Sequence, residues 1–369
     1  MLKVPLDALH RELGARMVPF AGYEMPVQYS DGILAEHEHT RASAGLFDVS
    51  HMGQVVVRGA GASAGLESLL PSDLEGLAEN AQVYSLLTND QGGVRDDLIV
   101  TRWSDDSFFL VVNAACKEAD ISYLRDCLPQ LDIDVLEDQA LLALQGPAAR
   151  TVVGEILPDA AGLSFLQGCA TQYEGVPVYV TCSGYTGEDG FEVSLPAAYA
   201  EVFARQMLDH PAVKPVGLGA RDSLRLEAGL CLYGHELTEQ TTPVEAGLMW
   251  AIGKARRPDG ARPGGFPGAG HIFALQAAGP VTRRVGLRVD GKRPVREGQA
   301  VCGPGGEPVG VVTSASVGPT AGGPIAMAQV QADFTDVDTA LAVDVRGKPV
   351  PVTVAKLPFV PPRYVRASQ

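Results

Sequence analysis

The stretch from Arg256 to Gly270, RRPDGARPGGFPGAG, limits the fold of this chain more than any other segment. Glycine and proline dominate it. Neither sustains a helix interior or a central strand, so no regular element is expected through it. It separates a large amino-terminal unit from a smaller carboxy-terminal one. Beyond it, the apolar runs VGLRV, AVCG, PVGVVTSA, IAMAQV, ALAVDV and PVPVTVA are short and broken by turn formers, which is the pattern of a small β-barrel or sandwich. The larger unit carries strand-like runs at 54–59, 97–103, 107–114, 140–146 and 176–182, with helical spacing at 115–127, 148–157, 198–208 and 221–231. Strands and helices intermix without strict alternation, which favours α+β over a doubly wound sheet. With 369 residues, 46% of them apolar, the chain has material for two or three cores.

Charge and apolar patterning exclude some partners. The net charge of −15 is the wrong sign for neutralising phosphates, so no nucleic acid partner is expected. No window approaches the roughly eighteen apolar residues of a membrane span. The start, MLKVPLDALHREL, lacks the apolar stretch of a secretion signal, so a cytoplasmic setting is expected. Cys116, Cys127, Cys169, Cys182, Cys231 and Cys302 are scattered without a CxxC pair and read as reduced core residues. No metal site is expected. His37 and His39 in LAEHEHTR lack the i, i+4 spacing of helical ligands and read as a solvated face.

Three segments could carry chemistry. GGVRDDLIV (92–100) places Asp96 and Asp97 side by side at the opening of a strand. Neighbouring strand residues point to opposite faces, so one acid should face a cleft or the interior and the other solvent, unless the strand is bulged. The cleft-facing acid could serve as a base or anchor an NH-rich ligand; a plain hairpin turn with two solvated acids is the alternative. SGYTGEDGFEV (183–193) combines Gly184, Gly187 and Gly190 with Tyr185 and Glu192. It is not a phosphate loop, because no GK[ST] follows. Alternation sets Glu192 opposite the apolar Phe191 and Val193. The segment suits a flat polar heterocycle, or serves only as a glycine-rich connection. GLGARDSLRLEAG (217–229) resembles a dinucleotide fingerprint, but Asp222 stands where the third glycine belongs and would repel a pyrophosphate. Arg221 there suits a carboxylate, in a ligand or in a local ion pair. DVSHM (48–52) has no nucleophile elbow and does not read as a serine triad.

Together these segments resemble one family. MVPFAGYEMPVQY (17–29), GLFDVSHMG (45–53), GGVRDDLIV, LLALQGP (141–147), SGYTGEDGFEV, GLGARDSLRLEAGLCLYG and TPVEAGLMW (242–250) occur in the order found in glycine-cleavage T-proteins, from about Pro5 to Tyr364. The resemblance implies an aminomethyltransferase that takes the aminomethyl group from the lipoyl arm of the H-protein. The methylene passes to tetrahydrofolate, giving 5,10-methylenetetrahydrofolate and ammonia. It implies an α+β fold of three domains in a cloverleaf around a central channel. A folate-binding domain (1–53 and 138–255) would be interrupted by a ferredoxin-like one (54–137), then a linker (256–283) and a β-barrel (284–369). It implies Asp97 as the catalytic acid, with Glu192, Tyr84, Tyr185, Arg221 and Tyr364 binding folate. One block departs from the family's usual GxVTSGxxSP: GVVTSASVGP (310–319) has Ala315 and Gly318. Two other readings share the scaffold, a folate-dependent demethylase of another methylated donor and a non-catalytic folate binder. Relatives of the latter kind tend to lose the paired acids that stand here.

Overall fold

The computed structural model describes residues 1–367; the last two residues of the expected carboxy-terminal unit lie outside the described residues. The chain is mixed α+β, with two open sheets packed on each other, a short amino-terminal sheet and a closed barrel.

The first open sheet has six strands, in the order Gly168–Tyr173, Val176–Thr181, Gly190–Pro196, Gln139–Gln145, Ala44–Asp48 and Val213–Pro215. Period-2 alternation gives it two apolar faces. Leu142, Leu144, Phe191 and Val193 pack under the helices Ala149–Ile156 and Ala197–Leu208, with Phe203 at the centre. Phe47, Leu141 and Ala143 face the other way, against Val56, Phe109 and Val111 of the second sheet.

The second sheet runs Gln82–Thr88, Val94–Ser104, Ser107–Val112, Gly53–Arg58 and Asp132–Val135, antiparallel throughout. The helix Lys117–Cys127 carries the chain from Ser107–Val112 to Asp132–Val135, with Gly53–Arg58 lying between. The path from Gly53–Arg58 through the helix Ala62–Glu67 likewise reaches Val94–Ser104 across Ser107–Val112. These two skipped-strand crossovers are the expected ferredoxin-like arrangement, extended at one edge by Gln82–Thr88. Leu66, Leu98, Val100, Leu110 and Leu124 fill the space between its helices and strands.

The expected barrel closes from six strands: Thr282–Val289, Gly323–Gln331, Pro308–Gly318, Ala300–Cys302, Ala340–Asp344 and Pro349–Ala355. Val350, Val352 and Val354 point inward from the last strand, and closure leaves no edge to be covered. The glycine-proline segment is firmly packed. Arg256 is buried, and its guanidinium donates to the Glu67 carboxylate (2.7 Å) and the Glu67 carbonyl (2.8 Å). Composition concealed one element here, since a helix begins at Ala269 and runs to Ala278.

Candidate active site

Asp97 is delivered by the strand Val94–Ser104. Its register with Gln82–Thr88 shifts between Asp96 and Val94, so the strand is bulged at Arg95. Past the bulge, Asp96, Leu98 and Val100 point into the helix-covered core, and Asp97 turns toward the first sheet. Neither acid is the solvated one that alternation alone predicts, and Asp96 has no exposed surface at all. Asn113 makes that burial possible. Its side-chain amide donates to Asp96 Oδ1 (2.9 Å) and Asp97 Oδ1 (2.8 Å), and its backbone N–H donates to Asp96 Oδ2 (3.0 Å). The Tyr84 hydroxyl donates to the other Asp97 oxygen at 3.0 Å. Burial and the neighbouring Asp96 charge push the Asp97 carboxyl up to about 7, against the pull of those two hydrogen bonds. Tyr84 is itself held by Trp250, stacked on it with ring centres 5.2 Å apart.

Glu192 comes from the facing sheet. Phe191 and Val193 are in the core, and Glu192 points the other way, half-buried, as alternation requires. It pairs across the ladder with Ala143, so it lies on the face that meets the second sheet. The Ser183 hydroxyl donates to it at 3.4 Å. Burial pushes its carboxyl up, while Arg221 and Ser183 oppose the shift. The glycines before it let the loop close on one side chain. A Cβ at Gly184 or Gly190 would lie 1.9 or 2.4 Å from the Gln145 amide, which donates to the Ser183 carbonyl and accepts from Thr186.

Tyr185 and Arg221 join the two carboxylates. Tyr185 donates its hydroxyl to the Cys231 carbonyl, and Asp97 is near enough for its charge to help hold that phenol protonated. The Arg221 guanidinium lies over the Tyr185 ring, 4.9 Å from its centre, and acts on Glu192 in turn. Its Nη1 is buried and has no hydrogen-bond partner among the described residues. A buried guanidinium nitrogen without an acceptor is costly. Asp97, Tyr84, Tyr185, Arg221 and Glu192 are thus linked as a polar cluster by one hydrogen bond, one cation–π stack and the charges of Asp97 and Arg221. Tyr364 belongs to a different contact: it stacks flat on Phe165, with ring centres 3.8 Å apart, and feels the charges of Arg41, Glu188 and Arg366.

Two residues of this cluster carried no role in the sequence reading. Asn113 closes the apolar run SFFLVV, and a polar residue at the end of a core strand was its only signal. Trp250 ends the TPVEAGLMW block and remains 60% exposed, unusual for so large an apolar side chain. Other segments resolve into structure. In GLGARDS, a Cβ at Gly217 would meet the Val27 backbone at 2.4 Å and one at Gly219 the Ile33 side chain at 2.5 Å, so these glycines serve helix packing. In DVSHM, Asp48 bonds His10 (2.9 Å) and the Ser50 N–H (2.9 Å), so no serine triad forms. The expectation of a solvated LAEHEHTR face fails at His37. That ring is wholly buried because Ser223 (2.7 Å) and Glu227 (3.1 Å) satisfy both of its nitrogens. Among the described residues no group of three or more His, Cys, Asp or Glu could hold a metal ion.

The cluster can bind a flat, NH-rich, partly anionic ligand. Glu192 offers two acceptors, Arg221 an unmet donor, and Tyr84 and Tyr185 aromatic surfaces. Asp97 adds a carboxylate that changes charge near neutrality. Residues 6–256 match the model of the GCVT N-terminal domain and residues 282–361 that of the glycine cleavage T-protein C-terminal barrel domain. The chain is 46% identical to a mitochondrial aminomethyltransferase of Gallus gallus, over 99% of this chain and 94% of that protein. It is 41% identical to an aminomethyltransferase of Synechococcus, over 97% and 99%. The crystal structure of glycine cleavage system aminomethyltransferase T from Bartonella henselae superposes with a TM-score of 0.94 at 41% identity, covering 99% of both chains.

Proposed function

Given that this chain belongs to the glycine cleavage T-protein family and is an aminomethyltransferase of the glycine cleavage system, we propose that it moves the methylene of an aminomethyl group from the lipoyl arm of the H-protein to tetrahydrofolate. Asp97 is the catalytic residue in this reading; Glu192, Tyr84, Tyr185 and Arg221 bind the folate within the cluster, and Tyr364 binds it from its separate stack on Phe165. What supports it is that Asp97 and Glu192 lie on the facing sides of the two sheets, with Arg221, whose Nη1 is buried without a partner among the described residues, acting on Glu192 through its charge. Tetrahydrofolate fits that donor set: a reduced pterin presents adjacent NH groups to a carboxylate, and its glutamyl tail presents an anion to a guanidinium.

Bound there, tetrahydrofolate would supply the two nitrogen nucleophiles that accept the methylene, as its bonds to the amino group and to the lipoyl sulfur break and the two displaced N–H protons leave with ammonia and the lipoyl thiol. Glu192 grips the pterin edge with two acceptor oxygens. Tyr84 and Tyr185 orient the ring and keep water from its faces. Asp97, steadied by Asn113 and Tyr84, directs the nucleophilic nitrogen and takes up its proton. A carboxyl pushed up to about 7 is protonated below that pH and ionised above it. The transfer rate under kcat/KM conditions is therefore expected to rise with pH up to about 7 and then level off, as read from a pH–rate profile.

Glu192→Gln replaces one acceptor with a donor and removes the charge. A charge-assisted hydrogen bond contributes about 1.5–3 kcal/mol, so tetrahydrofolate affinity is expected to fall about 10–100-fold in a calorimetric titration. The reading itself is tested by folate-dependent ammonia release from aminomethyl H-protein. Release that needs both partners supports it. Turnover of free methylated donors with none from the H-protein would favour a demethylase instead. The compartment we propose is the cytoplasm, a reducing setting in keeping with six free cysteines.

A further inference from the structure

Behind Asp97 lies a second pair of acids that the transfer step does not use. Asp96 and Asp120 are 0% and 4% exposed, and both lie in the helix-covered core of the second sheet, near enough for the Asp96 charge to act on the Asp120 carboxyl. Asp120 is brought there by the first turn of the helix Lys117–Cys127. Two ionised carboxylates this near and out of water repel strongly, so the pair holds one proton between them. The donors decide where it sits. Asp96 accepts from the Asn113 N–H (3.0 Å) and from the Asn113 amide (2.9 Å). Asp120 Oδ2 is buried with no partner among the described residues. The well-donated carboxyl carries the charge, and the poorly donated one carries the proton.

We propose that Asp120 is a positioning residue for Asp97: it stays protonated and donates its proton as a hydrogen bond to Asp96, so that a single negative charge is kept directly behind the reactive carboxylate. The link to Asp97 is Asn113, whose one side-chain nitrogen serves both Asp96 and Asp97. The Asp96 charge then makes Asp97 a stronger base than an isolated aspartate. Groups facing the pair are consistent with this. Arg95, on the same strand, stacks on Tyr123 of the helix at 4.6 Å and pulls against the Asp120 proton without displacing it. Tyr233, from the segment after the helix Leu218–Glu227, feels both acids and Cys116. Tyr84, Tyr185 and Cys231 face Asp97 itself, and all three are neutral near pH 7. Burial and the Asp96 charge hold the Asp120 carboxyl up at about 9, so it keeps its proton over the working range.

This inference rests on the reading of Asp97 as the catalytic residue, and two measurements separate the two claims. The first is infrared difference spectroscopy at pH 8, wild type against Asp120→Asn. A protonated-carboxyl C=O band present in the wild type and lost in the variant is expected. No lost band means that Asp120 is ionised and overturns the proposal, whatever Asp97 does. The second is the pH–rate profile. Asp120→Asn retains an N–H donor toward Asp96 and is expected to keep the acidic limb in place. Asp120→Leu removes the donor, so Asp96 takes up a proton and its charge is lost. The limb is then expected to move down by about one pH unit. A limb that stays with the wild type in Asp120→Leu overturns the proposal. If Asp120→Leu fails to fold, the infrared result on Asp120→Asn decides.

Discussion

Asp97→Asn is expected to lower aminomethyl transfer by about 10²–10⁴-fold, the usual range for removing a positioned general base, while tetrahydrofolate still binds. The substitution keeps the shape of the side chain and the acceptor for Asn113 or Tyr84, but it cannot take a proton. The fold should tolerate it, because the change removes a half-buried charge that stands beside Asp96 rather than an ion-pair partner. Single-turnover ammonia release read alongside a folate titration separates the two effects. A wild-type rate in the variant would remove Asp97 from the chemistry.

The largest expected effect on stability lies elsewhere. Glu227, at the end of the helix Leu218–Glu227, has no exposed surface. One of its oxygens accepts from Arg41 (2.9 Å) and His37 (3.1 Å), and the other from the backbone N–H groups of Thr320 (2.8 Å) and Ala321 (2.9 Å). It thus ties the first sheet's helices to the barrel, and Arg41 continues the network to Glu188 at 2.7 Å. Burial alone would raise the Glu227 carboxyl. The bonds from His37, Ala321 and Arg41 outweigh it and hold the group at about 2. Glu227→Gln leaves Arg41 buried with its charge partly unmatched. The expected cost is about 3–5 kcal/mol, read from urea denaturation at pH 7. The pH dependence has a definite sign. A depressed carboxylate stabilises the fold in full above its unfolded value, near 4.5, and loses that contribution as pH falls toward 2. The gap between wild type and variant should therefore narrow across that acid range. A gap that is constant with pH would show that Glu227 contributes shape rather than charge.

The sequence made much of this legible because the relevant patterns are local. Alternation in GFEV set Glu192 against Phe191 and Val193, and it does stand opposite the core face. The valine-rich runs after the glycine-proline segment became barrel strands because each has an inward and an outward side. What stayed hidden depends on partners distant in the chain. Alternation sent one of Asp96 and Asp97 to solvent; the two do point to opposite faces, but the first sheet packs on the face that carries Asp97, and the Asn113 amide satisfies both acids. His37 looked solvated because its neighbours are polar. The residues that bury it, Ser223 and Glu227, come from another helix. Asp120 carried no reading beyond the helical spacing of 115–127, and only the fold brings it near Asp96. The helix Ala269–Ala278 was masked by the glycines and prolines just before it.

The most direct test of the account is a crystal structure of the protein with tetrahydrofolate bound. The pterin edge is expected against the Glu192 carboxylate, with Tyr84 and Tyr185 beside the ring and Asp97 within hydrogen-bond reach of a reactive nitrogen. A pterin seated away from Glu192, or with its nitrogens beyond the reach of Asp97, would contradict it.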